Sequence, residues 1–154
     1  MLDRYLEFTH SALGKQITAS LGLPTPPRLD RAETGYAAAP LSGEKVLFAA
    51  DSAATATAAT LSALNRLGAN VQVVPGHVGF AVVKAASEVT GLSLKSEGGD
   101  TDPIAPIIVF DATGMAGTNG LKQIYELLQP RLRRLVANTR VIVLCRAPAD
   151  TNSV

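Results

Sequence analysis

Asp51 and Asp111 each close a short apolar run and open a loop: Lys45-Val-Leu-Phe-Ala-Ala leads to the first, Pro106-Ile-Ile-Val-Phe to the second. Carboxylates at the ends of two neighbouring strands can hold Mg²⁺ or exchange protons with a substrate. The same residue type also folds back to accept hydrogen bonds from the amides of its own turn, so capping competes with chemistry at both positions. Ser52 follows the first aspartate, and Thr113, Gly114 and Gly117 follow the second, where a backbone or hydroxyl could approach a ribose or phosphate. Pro75 to His77, Cys145 and Arg146 complete the set of residues expected at strand ends.

Each of these has a plain structural alternative. His77 has no His, Cys or Glu at ligand spacing and belongs, on this reading, to the first turn of a helix. Cys145 ends an apolar run and reads as a small core hydrophobe, since no base partner for an activated thiol is identifiable. Arg131, Arg133 and Arg134 form a basic helix end, either solvated or available to an acidic carrier or phosphopantetheine group.

The elements that would position these residues alternate between strand and helix. Apolar positions Tyr5, Leu6, Phe8, Leu13, Ile17 and Leu21 predict one helix, or two short ones, over 3–21, interrupted near Gly14 and closed by Gly22. Pro24, Pro26 and Pro27 then enforce extended backbone, and residues 23–44 read as an irregular arm. Strands are expected at 45–50, 71–74, 92–95, 106–111 and 140–144. Helices are expected from a cap at Ser52 to Leu67, from His77 to Thr90, and from Gly120 to Val136. The last carries Leu121, Ile124, Leu128, Leu132 and Leu135 on one stripe and is kinked at Pro130. This alternation predicts an α/β fold with a doubly wound, mostly parallel sheet, a degenerate Rossmann or flavodoxin-like arrangement, preceded by the N-terminal helix and proline-rich arm. The division expected is 1–44 for helix and arm and 45–154 for the α/β domain. The polar ending, Ala149 to Val154, suits the start of another helix, and the α/β domain is read as truncated there.

In such a sheet, ligands gather outside the C-terminal strand ends, at the point where strand order reverses. The first strand enters its loop as Ala49-Ala-Asp-Ser-Ala-Ala-Thr55, without the glycines a pyrophosphate-binding turn requires. Composition narrows the rest. Of 154 residues, 47% are hydrophobic and 18% charged, and the formal net charge is +1, which gives no field favouring nucleic acid or an acidic membrane. The single cysteine forbids an intrachain disulfide and fits a cytoplasmic setting. No signal peptide or spanning segment is read in the sequence.

Asp3-Arg-Tyr-Leu-Glu-Phe, Leu13-Gly-Lys, Leu21-Gly-Leu-Pro with the following Pro-Pro-Arg-Leu, and Ile108-Val-Phe-Asp-Ala-Thr-Gly114 together resemble the N-terminal domain of the high-molecular-weight 3-oxoacyl-(acyl-carrier-protein) reductases, within the short-chain dehydrogenase/reductase family. The resemblance runs from Asp3 to about Pro148. It implies a non-catalytic flavodoxin-like or degenerate Rossmann domain ahead of a C-terminal ketoreductase domain. That second domain would reduce a 3-oxoacyl thioester, carried by acyl carrier protein or CoA, with NADPH or NADH in fatty acid metabolism. A homodimer is implied as well.

The departures separate this chain from that chemistry. A short-chain reductase needs a Tyr with a Lys four positions later, so that the ammonium lowers the phenol's pKa. Here Tyr5, Tyr36 and Tyr125 are followed at that distance by Thr9, Pro40 and Gln129. No catalytic residue, bound cofactor or metal is therefore expected in this chain. Asp51, Ser52, Asp111, Thr113 and Gly114 remain the candidate contacts at the strand ends. A phosphoryl-handling, receiver-like domain built on Asp51 and Asp111 is the alternative, although Arg146 stands where such a domain would want Lys. Flavin binding is disfavoured by the absence of a glycine-containing Ser/Thr-rich loop after the first strand.

Overall fold

A computed structural model describes residues 4–23, 25, 38–99 and 104–147. The proline-rich arm from 26 to 37 and the polar ending from 148 lie outside them, as do the expectations made for those segments. Contacts divide the chain into two units, 1–35 and 36–154.

The first unit is a helical hairpin, α1 (Arg4–His10) and α2 (Ala12–Ser20). The break falls at Ser11 and not at Gly14. Ser11 adopts extended backbone, its Oγ accepts from the Gly14 N–H at 3.0 Å, and it thereby caps α2. Tyr5, Phe8, Leu13, Ile17 and Leu21 are exposed, whereas Thr9 and Thr18 are buried.

The second unit is α/β. Its strands are β1 (Lys45–Ala50), β2 (Asn70–Val73), β3 (Lys95–Ser96), β4 (Ile107–Asp111) and β5 (Arg140–Leu144), all parallel, in the order β3-β2-β1-β4-β5. Its helices are α3 (Thr57–Arg66), α4 (Phe80–Thr90) and α5 (Asn119–Leu128), and α5 continues as a 3-10 turn over Gln129–Arg134. The strand order reverses between β1 and β4, consistent with a Rossmann-like or flavodoxin-like fold.

Helices flank both faces because β1 and β4 are apolar on both. Val46, Phe48, Ala50, Val71 and Val109 pack with Leu61 and Leu64 of α3 and Val83 of α4. Leu47, Ala49, Ile108 and Phe110 pack with Leu127 of α5, with Ile104 and Ala105 from the β3–β4 connection. The last residues of the predicted arm belong to this unit. The Leu41 N–H donates to the Leu67 carbonyl, the Gly43 N–H to Gly68, and Leu41 joins the first core.

Three features differ from expectation. The α5 stripe holds in part: Ile124, Leu128 and Leu135 pack against the second core, but Leu121 and Leu132 face solvent and Leu127, outside the expected stripe, is fully buried. Pro130 ends regular α-helix instead of kinking it, because it has no N–H to continue the ladder. The arginines that follow are not a solvated cluster. Arg131 is buried, its Nε donating to Glu97 Oε1 at 3.0 Å and its Nη1 to the Leu127 carbonyl at 2.6 Å. Arg134 bridges Glu97 at 3.5 Å and donates to the Gly99 carbonyl. These two arginines thus fasten the long connection after β3 beneath α5.

Candidate functional site

The strand ends at the reversal point carry Asp51 and Asp111, on neighbouring strands in register Ala50↔Asp111. Each carboxylate first serves its own turn: the Ala53 N–H donates to Asp51 Oδ1 at 2.8 Å, and the Thr113 N–H to Asp111 Oδ1 at 3.1 Å. Their remaining oxygens are also engaged. Asp111, completely buried, accepts from the Thr57 hydroxyl through Oδ2 at 2.8 Å and from the Thr113 hydroxyl through Oδ1 at 2.6 Å. Asp51 Oδ2 accepts from Gln123 Nε2 at 2.9 Å. Both aspartates act as internal acceptors that tie loops together.

Thr113 extends this network across the cleft. Its Oγ1 accepts from the Thr55 N–H at 2.9 Å and from the Ala56 N–H at 3.2 Å. Those amides lead into the N-terminus of α3, where an anion would otherwise be held by exposed N–H groups and the helix dipole. Ser52, expected to cap this helix, is exposed and does not do so, and α3 starts only at Thr57. No side chain caps α3, and Thr113, from a loop more than fifty positions away, holds the two residues that lead into it.

Backbone packing closes what remains. A Cβ on Gly114 would meet the carbonyl of Ala53 and lie 2.5 Å from the Ala54 nitrogen. A Cβ on Gly79 would run into the Ala50 carbonyl, 2.5 Å from its carbon. The glycine after β4 therefore lets its loop approach the β1–α3 loop, not a ligand. Arg146 covers the same turn, its Nε donating to the Thr113 carbonyl at 2.5 Å. Between the ends of β1 and β2, the crevice lined by Phe48, Ala50, Val73, His77 and Phe80 has essentially no room for even a water-sized sphere. A small-molecule site usually offers at least about 300 Å³.

The other candidates disperse. Gly117 is exposed with φ +67° and has nothing within contact distance of a Cβ, so it serves the turn into α5. Cys145 is exposed and free, because β5 is a sheet edge and not a buried strand. Arg133 is exposed. Among the described residues no group of three or more His, Cys, Asp or Glu is placed to hold a metal ion.

His77 lies in the turn before α4, not in its first helical turn, and its ring meets Phe110 edge-on at 5.8 Å. Burial lowers its pKa from the usual imidazole value, and Arg131 acts in the same direction. Carbonyls of Gln123 and Ala50 and the Glu126 carboxylate oppose this, yet Nε2 has no partner in hydrogen-bonding geometry. With the folded pKa below the unfolded one, the unfolded chain binds more protons as pH falls below about 6.5. The stability present above that pH is therefore lost progressively under mild acid. Urea denaturation at pH 7.5 and pH 5.5 should show this loss, and His77→Gln should diminish it.

Replacing Thr113 with valine keeps its shape and removes the acceptor for two amides and one donor to Asp111. We expect about 1–2 kcal/mol of destabilisation in urea denaturation, the cost of leaving these hydrogen bonds unmade. Thr113→Ser should retain most of the stability.

The site thus defines an α/β domain with a dinucleotide-type reversal point at which the turn into α3 is pinned by Thr113 of its own chain. The residues present fit a nicotinamide dinucleotide poorly, since the turn from Asp51 to Ala56 has no glycine and its Thr55 and Ala56 amides are bonded to Thr113. Comparison of the sequence with protein-family models and with curated proteins found no match to either. No helix among the described residues is long and apolar enough to cross a membrane.

Proposed function

We propose that this chain is a non-catalytic N-terminal domain of a 3-oxoacyl-thioester reductase of the short-chain dehydrogenase/reductase family, acting in the cytoplasm in fatty acid metabolism. It supports a C-terminal ketoreductase domain, its dimer or its substrate entrance. NADPH or NADH, and the substrate on acyl carrier protein or CoA, bind in that other domain. The family assignment rests on the sequence resemblance. The single structural observation that favours a supporting role is the Thr113 hydroxyl on the Thr55 and Ala56 amides. A reversal point pinned this way is suited to rigidity, since the turn ahead of α3 is tied to the loop after β4.

The purified chain, incubated with NADPH and an acetoacetyl thioester, should leave the cofactor absorbance unchanged; turnover above the protein-free rate would refute the non-catalytic assignment. The reading frame beyond Val154 tests the family. A glycine-rich strand-turn-helix followed by Tyr-x-x-x-Lys supports it, and their absence removes it.

A further inference from the structure

His77 lies at the strand ends but outside the hydrogen bonds that tie Asp51, Asp111 and Thr113 together. It belongs to the turn from β2 to α4, Pro75-Gly-His-Val-Gly79, where Gly76 takes φ +81°. Its backbone shapes that turn: the His77 N–H donates to the Val74 carbonyl at 3.3 Å, and its carbonyl accepts from the Phe80 N–H at 2.9 Å. Pro75 and Val78 are exposed, so His77 is the side chain by which the turn reaches the interior. The turn leads into α4, which packs on one face of the sheet through Val83 and Ala86. The imidazole instead sits with Phe110, Gln123 and Arg131, on the face that α5 covers. His77 thus staples the start of α4 to the opposite helical layer.

The two ring nitrogens decide which form of the imidazole this seat accepts. Nδ1 faces the Gly79 N–H at 3.5 Å, a long contact in which it can only accept, so it carries no proton there. The proton of the neutral ring then stands on Nε2, which is buried without a hydrogen-bond partner. A second proton would oppose the Gly79 N–H at Nδ1 and leave a cation with an unpaired Nε2–H beside a crevice that has no room for water. Gly79 cannot shift to relieve the clash. It lies against the Ala50 carbonyl, where even a Cβ would come within 2.5 Å of the carbonyl carbon.

Burial is the largest influence on the ring and disfavours the cation. Its surroundings supply no seated counterion. On α5, Glu126 favours the cation but is exposed and paired with Lys122. On the 3-10 turn, Arg131 opposes the cation while bonded to Glu97. The carbonyls of Gln123 and Ala50 favour it, outside hydrogen-bonding geometry with Nε2. At the ends of β1 and β4, Asp51 and Asp111 are taken up by their own turns and by Gln123 and Thr57. Lys84 and Glu88 of α4 are exposed.

We propose that the turn from Pro75 to Gly79 is an acid-released latch: protonation of His77 frees its ring from Phe110 and lets the turn and the first residues of α4 open while the sheet stays intact. The two cores make a local opening possible. Each helical layer keeps its own buried contacts with β1 and β4, and His77 is a member of neither cluster. Opening bares Phe110 and the crevice below the turn, an apolar surface beside the reversal point that is sealed while His77 is neutral.

Hydrogen–deuterium exchange of the whole chain at pH 7.5 and pH 5.5, with labelling times matched for intrinsic rate, reads this directly. A free imidazole titrates near about 6.5, so the open population should rise about tenfold between the two conditions when the seated ring takes no proton. The rise should fall on peptides covering 76–83, which hold the turn-bonded amides of His77, Phe80 and Val83, and should reverse on return to pH 7.5. Peptides from β1 and β4 should not change. His77→Phe and His77→Gln, which have no proton to gain, should lose the response, whereas His10→Gln, which removes the chain's other histidine, should keep it. Exchange over 76–83 that is the same at both pH values would overturn the proposal. So would a rise shared equally by β1 and β4, or a response that persists in either folded His77 variant.

Discussion

Gly114→Ala is expected to lower stability by about 3 kcal/mol, the upper range for forcing a methyl group into a closed contact. The added Cβ would collide with the Ala53 carbonyl and the Ala54 nitrogen, which are backbone atoms unable to rotate aside. One of the two loops must retreat. The network through Thr113 then weakens with it, because Thr113 is the adjacent residue and spans from Asp111 to the amides of Thr55 and Ala56. Chemical denaturation of the variant beside wild type measures the cost. A change below about 0.5 kcal/mol, the range of ordinary surface substitutions, would mean that the loops are not held against each other as described. Gly79→Ala probes the equivalent contact with the Ala50 carbonyl and should act in the same direction.

Arg131→Leu is expected to cost about 3–4 kcal/mol. Glu97 is nearly buried and would lose its main partner, keeping only Arg134 at 3.5 Å. Breaking a buried ion pair from one side leaves an uncompensated charge, whereas replacing both partners with apolar residues often restores the loss. The double variant Arg131→Leu/Glu97→Leu should therefore be more stable than Arg131→Leu alone. Equal stability of the single and double variants would argue against a buried pair, and urea denaturation of all three proteins distinguishes the cases. The structural consequence of losing the pair is local. The connection from β3 to β4 would detach from the end of α5, exposing Ile104 and Ala105.

The sheet was legible in the sequence because β1 and β4 are uninterrupted apolar runs that only a doubly covered parallel strand explains. The turn-capping role of Asp51 and Asp111 was legible too, since Asx turns are encoded within three residues. The start of α3 was not. Ser52 has the right side chain for a cap, but Thr113 takes the amides at Thr55 and Ala56 from across the sheet, and no local pattern records that contact. The phase of α5 was legible only in part, for a related reason. Leu121, Ile124, Leu128, Leu132 and Leu135 make a credible stripe, of which Ile124, Leu128 and Leu135 do pack inward, but Gly120, Ile124, Leu127 and Arg131 make another. Only the sheet, together with the partner Glu97 for the buried arginine, selects the second. Cys145 and β5 were read as buried because apolarity alone does not distinguish a central strand from an exposed edge.

The pinned reversal point should refuse a nicotinamide cofactor. Isothermal titration of the purified chain with NADPH, and separately with NADH, tests it directly. A reversal point without glycines, whose Thr55 and Ala56 amides are bonded to Thr113, predicts no saturable heat up to millimolar cofactor. Saturable one-to-one binding with a micromolar Kd for either cofactor would contradict it.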